Sequence, residues 1–170
     1  MLNELTGQKD GAQVSADGRR LAPVIHDVRV REQPNVPTRN GVTAEAWRSD
    51  WGLGGALQQI LVVHLRPAAI SAWHRHARQT DHIYCIQGAL RLVIYDARPN
   101  SPSHGVVDVR LLHPARPQLV VVPPGLWHGL QNLDAARDAC FLNGFDRAYQ
   151  HDDPDEFRLP ADTDRIPYRF

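Results

Sequence analysis

Short apolar runs recur along the chain with polar residues and turn formers between them. From Pro23 onward they are Val24 to Val30, Val42 to Trp47, Gln58 to Leu65, Ile70 to His76, His82 to Ile86, Leu90 to Tyr95, Val106 to Leu112, Gln118 to Val122 and Ala139 to Leu142. Each has the length of a strand, and Asn40-Gly41, Gly54-Gly55, Gln87-Gly88, Pro99-Asn100 and Pro123-Pro124-Gly125 punctuate the series. No stretch repeats its apolar residues at helical spacing. The pattern therefore predicts an all-β sandwich or barrel.

The ends read differently. Residues 1–20 are rich in Gly, Gln, Asp and Ser without apolar periodicity, which predicts a flexible N-terminal arm. Residues 21–145 carry the strands, and the charged, proline-bearing segment 146–170 is expected to pack on them as an irregular or short helical extension. With 170 residues and 42% apolar content, the chain supports one core.

Charge narrows the function classes. Lys+Arg and Asp+Glu both number 19, so no net field attracts nucleic acid or anionic lipid. The longest apolar runs fall far short of the ~20 residues of a membrane helix, and Met1 to Arg20 lacks an apolar leader core. A soluble, cytoplasmic protein with a small-molecule partner is expected. Cys85 and Cys140, both in apolar runs, read as buried thiols and not as a disulfide framework. Lys9 is the sole lysine, which disfavours lysine chemistry in the core.

The candidate chemistry begins at Trp73-His74-Arg75-His76. Two imidazoles two residues apart on a strand share a face. Asp81 follows, then Gly88, and much later Pro123-Pro124-Gly125-Leu126-Trp127-His128-Gly129-Leu130-Gln131-Asn132. These pieces resemble the two motifs of the cupin superfamily, with Ala68 and Pro117 where a glycine usually opens each motif and Asp81 where a glutamate is usual. The resemblance implies a cupin jelly-roll β-barrel. Three imidazoles and a carboxylate suit one divalent metal (Zn, Ni, Fe or Mn), held by His74, His76, Asp81 and His128. His82 belongs to the opposite strand face from Asp81. His26, His64, His104, His113 and His151 lack comparable partners in the pattern.

A second resemblance is closer. His74, Cys85, Tyr95-Asp96-Ala97-Arg98, Ser101-Pro102-Ser103-His104-Gly105 and Pro123 to Gly129 are similar to the dTDP-4-dehydrorhamnose 3,5-epimerase family, and 153–160 with Ile166-Pro167-Tyr168 resembles an epimerase-related subgroup. The family implies a homodimer acting on a sugar nucleotide or related carbonyl compound, such as a dTDP-linked 4-keto-6-deoxy sugar. A histidine, here His74, would remove the proton next to the C4 ketone, oriented by an aspartate, here Asp162 or Asp164. The family's lysine position falls on Asp81, its tyrosine near Asn143 and an arginine on Ser71. A metal at the cluster would take over the lysine's task as a Lewis acid. If His74 were a ligand, the base would pass to another group such as Tyr149, Tyr84 or His82. Trp73 and Trp127 are candidates to stack on the substrate, and Arg75, Arg78 and Arg91 to bind a diphosphate. The other readings are a metal-dependent oxygenase and a non-catalytic sugar-binding barrel.

Overall fold

The computed structural model describes residues 11–18 and 20–170. Residues 1–10 and 19 of the predicted flexible arm lie outside the described residues. The strands are β1 (Arg29–Glu32), β2 (Val36–Thr38), β3 (Gly41–Thr43), β4 (Gln59–Leu65), β5 (Ile70–Arg75), β6 (Asp81–Gln87), β7 (Leu90–Tyr95), β8 (Val107–Leu112), β9 (Gln118–Val122), β10 (Trp127–Asn132), β11 (Ala139–Phe145) and β12 (Phe157–Arg158). Among the described residues only Ser49–Trp51 is helical, as one 3-10 turn. No helix there is long and apolar enough to cross a membrane.

Two five-stranded antiparallel sheets face each other, in the orders β1-β9-β6-β11-β4 and β12-β5-β10-β7-β8, with β2 and β3 as a separate hairpin. The jelly-roll expectation is met, as an open sandwich of two sheets in place of a closed barrel. Alternation explains the layering. Ile83, Cys85, Val120, Val122 and Phe141 of the first sheet meet Leu90, Leu92, Ile94 and Leu130 of the second in the central core. Alternate residues of the same strands serve two outer layers. Tyr84, Leu119 and Val121 are covered by Trp47, Trp51 and Leu53. On the other side, Trp73 and Val93 are covered by Ile166, Leu159, Tyr168 and Phe170 of the C-terminal segment.

Two local features shape the site. Between β5 and β10 the register pairs His128 with His74 and Leu130 with Ser71, so three steps of β5 oppose two of β10. This bulge puts Ala72 and Trp73 together on the outer layer and returns Ser71 and His74 to the inner face. The central strand β10 is absent from the apolar pattern because its inward residues include polar His128 and Asn132. Its outward Gly129 is required by packing, since a Cβ there would lie 2.4 Å from the Ala72 Cβ and 2.9 Å from Phe170.

Candidate functional site

At one end of the sandwich, inner faces of both sheets carry polar side chains where apolar ones would otherwise meet. Asp81 opens β6 in one sheet, and His74, His76 and His128 come from β5, its exit, and β10 in the other. The fourfold convergence expected from the sequence does not form. His76, Asp81 and His128 bring ligand atoms within 4.8 Å of one another. Asp81 Oδ2 lies 3.1 Å from His128 Nε2 and 3.5 Å from His76 Nε2. His74 stands beside this cluster, its ring centroid 6.1 Å from that of His128, with partners of its own.

Those partners are Glu156 and Ser71. His74 Nδ1 lies 3.2 Å from Glu156 Oε1, and its Nε2 lies 3.0 Å from Ser71 Oγ. The carboxylate only accepts, so Nδ1 carries the hydrogen and Nε2 is the basic atom. Burial is the main cause that lowers the His74 pKa, reinforced by His128 and Arg158 and opposed by Glu156. The imidazole is therefore neutral at pH 7 and fit to take a proton.

Asp81 is 1% exposed. Burial acts to raise its carboxyl, but contacts with His128 and His76 outweigh it and hold the group well below the usual carboxylate range. Burial acts to lower His76, and its contacts with Asp81 and Asp155 together more than offset this. Gln79 Nε2 donates to Asp81 Oδ1 at 2.7 Å, and Asn143 Nδ2 lies 3.4 Å from Oδ2.

The C-terminal segment orients both histidines of β5. Glu156 holds His74, and the adjacent Asp155 carbonyl accepts from His76 Nδ1. The Asp155 carboxylate accepts from three backbone amides, Ala77 at 2.8 Å, Arg78 at 2.7 Å and Gln79 at 2.9 Å. Burial acts to raise Asp155, and these amides bring it below its ordinary value. One dipeptide thus fixes the loop after β5 and the tautomers of two imidazoles.

A cavity of about 610 Å³ borders this end, with His76, Gln79, Arg147, Tyr149, Glu156 and Arg158 among its walls. His74 is not one of those walls, but its side chain keeps 15% exposure. Arg78 also lines the cavity and pairs with Asp153 at 3.3 Å. Tyr149 is 42% exposed, with its ring edge on His151.

The other proposed contacts lie elsewhere. Trp73 is fully buried in the outer layer, where the bulge sends it, with its ring 5.0 Å from Phe170, so it cannot stack on a ligand. Trp127 packs against that layer, opposite in sense to His128. Arg75 projects from the same outer face over Phe157 and Trp127. Arg91 points outward too, donating to Gln131 at 2.9 Å. Asp162 is exposed and meets Arg169 through its carbonyl, and Asp164 is exposed. Glu156, not either aspartate, occupies the place behind His74. His82 faces away from Asp81 and meets the Leu53 carbonyl at 2.7 Å. Sequence reasoning missed Glu156, Ser71, Gln79 and Asp155. Its one usable signal was the acidic run Asp152 to Glu156, which has no apolar partner in the pattern.

Comparisons with known proteins agree with this architecture. Residues 24–166 match the family described as dTDP-4-dehydrorhamnose 3,5-epimerase. The probable low-salt glycan biosynthesis epimerase of Haloferax volcanii is 34% identical over 142 residues, spanning 82% of this chain and 90% of that protein. A spore coat polysaccharide biosynthesis protein of Bacillus subtilis is 29% identical over 147 residues, 86% of this chain and 97% of its own. Among solved structures, a dTDP sugar isomerase of Desulfovibrio desulfuricans superposes with a TM-score of 0.78 at 24% identity, over 85% of this chain and 90% of that one, and shares the fold. With its inward histidines, two-sheet sandwich and near full-length match, the chain belongs to the dTDP-4-dehydrorhamnose 3,5-epimerase family.

Proposed function

We propose that the protein epimerises a nucleotide-linked keto sugar, with a dTDP-linked 4-keto-6-deoxy sugar as the first substrate to test. The observation that carries this reading is the His74–Glu156 pair, a neutral imidazole with its basic Nε2 on the inner face. His74 takes the proton from the carbon next to the ketone. The C–H electron pair moves into the new C–C double bond while the carbonyl pair moves onto oxygen, giving an enolate. Glu156 balances the resulting imidazolium. A proton returned to the opposite face by Tyr149, which lines the cavity bordering this end of the sandwich, inverts the centre. Ser71 Oγ must yield Nε2 to the substrate.

The enolate oxygen needs a positive partner; a divalent ion (Zn, Ni, Fe or Mn), if held by His76, Asp81 and His128, would supply one as a Lewis acid. Arg78, Arg147 and Arg158 at the cavity wall suit a diphosphate. A homodimer belongs to the same reading. The β2–β3 hairpin is exposed throughout, and a two-stranded hairpin needs a support. The edge strand β4 exposes Ile60 and Val62. Light scattering that returns twice the chain mass supports the dimer, and the single chain mass rejects it.

Incubation with the keto sugar nucleotide and NMR analysis of the sugar ring tests the activity. The proposal expects a new epimer with the native chain and none with His74→Gln. Binding without conversion would favour a sugar-binding barrel, and oxygen consumption an oxygenase.

A further inference from the structure

We infer that Arg158 is a latch between the substrate's diphosphate and the base: an anion in the cavity draws its guanidinium off Glu156 and leaves that carboxylate to His74. The effect on turnover rests on the epimerase reading, whereas the exchange of partners does not.

One oxygen carries two contacts. Glu156 Oε1 lies 3.2 Å from His74 Nδ1 and also pairs with Arg158. A carboxylate oxygen can accept both hydrogens, but a guanidinium beside it offsets the charge that would balance an imidazolium. With Arg158 in place, Glu156 orients His74 and lends it little charge. With Arg158 withdrawn, the same contact carries the full negative charge.

The chain sets up this arrangement. Glu156 and Arg158 stand on either side of Phe157 in sequence, and both line the cavity. Phe157 lies outside it, with the Arg75 guanidinium 4.1 Å from its ring centroid. The β12–β5 register pairs Arg158 with His74. The backbone of Arg158 is therefore fixed by strand pairing, while its side chain is 65% exposed and, among the described residues, has Glu156 as its only partner. An ion pair so open to solvent is weakly held.

The other cavity arginines are held differently. Arg147 Nε donates to the Arg78 carbonyl at 3.2 Å, and Arg78 pairs with Asp153 at 3.3 Å. Neither contact reaches His74. A diphosphate offers a guanidinium several anionic oxygens in the forked geometry that it prefers, which one shared carboxylate oxygen does not. An anion at this wall therefore competes with Glu156 for Arg158. The contact with the diphosphate, remote from the reacting carbon, is thereby converted into rate. A keto sugar without that group meets a base whose carboxylate is already offset, so selection for the sugar nucleotide shows in kcat as well as in KM.

Thermodynamic linkage supplies the test, since a carboxylate that loses Arg158 to an anion must, when removed, let the anion bind more tightly. Inorganic pyrophosphate is titrated into the full chain by calorimetry. Arg158→Gln is expected to weaken binding about 10-fold or more. Glu156→Gln should tighten it about 5-fold or more with Arg158 present. The same change should tighten it clearly less when made in Arg158→Gln, where only the general charge effect remains. Circular dichroism confirms that each variant is folded, and Arg158→Met is a second route if Arg158→Gln is not. No binding by the native chain, unchanged affinity in Arg158→Gln, or equal tightening in both backgrounds overturns the inference. Turnover is read as deuterium uptake from D2O by the methyl glycoside of a 4-keto-6-deoxy sugar. Pyrophosphate should speed the native chain about 5-fold or more and leave Arg158→Gln unmoved. With the dTDP-linked sugar, Arg158→Gln should raise KM more than it changes kcat. Pyrophosphate that binds through Arg158 without speeding the native chain removes the latch's part in turnover. A native chain that exchanges no deuterium even with the dTDP-linked sugar removes the epimerase reading, and the pyrophosphate cycle then decides the exchange of partners alone.

Discussion

Glu156 Oε1 lies 3.2 Å from Nδ1 of His74 across 82 residues of sequence. This contact ties the C-terminal segment to the strand that carries the basic histidine. It makes Glu156 a positioning residue, since it acts through the imidazole. Neutralising it as Glu156→Gln removes the charge that balances the imidazolium. The expected loss in kcat is between about 10- and 10⁴-fold with KM little changed, where the upper value is that for the acid behind a catalytic imidazole. Steady-state kinetics on folded protein checks it. An equal loss in Asp162→Asn would return the orienting role to Asp162.

The pH profile follows from His74. Its pKa is lowered, chiefly by burial, so the basic form predominates down through pH 6.5. The acid limb of kcat/KM is expected to have its midpoint below 6.5. Glu156 opposes the lowering, so Glu156→Gln moves that midpoint further down while reducing the plateau. An acid limb centred above 7 contradicts this assignment.

Asp155 governs acid stability together with Asp81 and Asp96. Burial works to raise all three carboxyls, yet each is held below its ordinary value by its hydrogen-bond partners. A depressed folded pKa gives stability that is complete above the unfolded carboxyl value near ~4 and is lost as pH falls through the lower folded values. The carboxylate contribution to the urea midpoint should be complete above about pH 5 and fall steeply below about 4. Asp155→Asn should cost about 1–3 kcal/mol at pH 7, because backbone amides lose a charged acceptor, and should shallow the acid slope. A midpoint that stays level between about pH 4 and pH 2 would count against the scheme.

Backbone conformation offers an independent check. Ala68 has φ 56°, in the left-handed region that costs a residue with a Cβ about 1–2 kcal/mol. Ala68→Gly removes that cost and adds unfolded-state entropy, for a net gain of up to about 1 kcal/mol, or roughly 2–4 °C in Tm. Calorimetry reads it directly. The opposite change is expected at Gly129, where alanine would press on Ala72 and Phe170 and cost about 1–3 kcal/mol.

The strands were legible where a buried face and regular alternation coincide. β7 and β9 keep the bounds that the apolar pattern gives them, and β4, β5, β6 and β8 differ by a residue or so. β10 was not legible, because two of its inward positions are polar His128 and Asn132 and one outward position is Gly129. The first run failed differently: Val24 to Val30 becomes strand only from Arg29. At the site, spacing located His76, Asp81 and His128 but included His74 with them, since same-face geometry does not say which nitrogen finds which partner. The β5 bulge is invisible to a period of two, which is why Ser71 was missed and Trp73 misplaced. Glu156 and Asp155 depend on a tail that packs late and irregularly, where no periodicity operates.

Solvent exchange tests the central claim most directly. In D2O, with a dTDP-linked 4-keto-6-deoxy sugar, the native chain should wash deuterium into a ring carbon adjacent to the C4 ketone, read by mass spectrometry. Folded His74→Gln should show none. No incorporation by the native chain, or undiminished incorporation by His74→Gln, would contradict the assignment of His74 as the base.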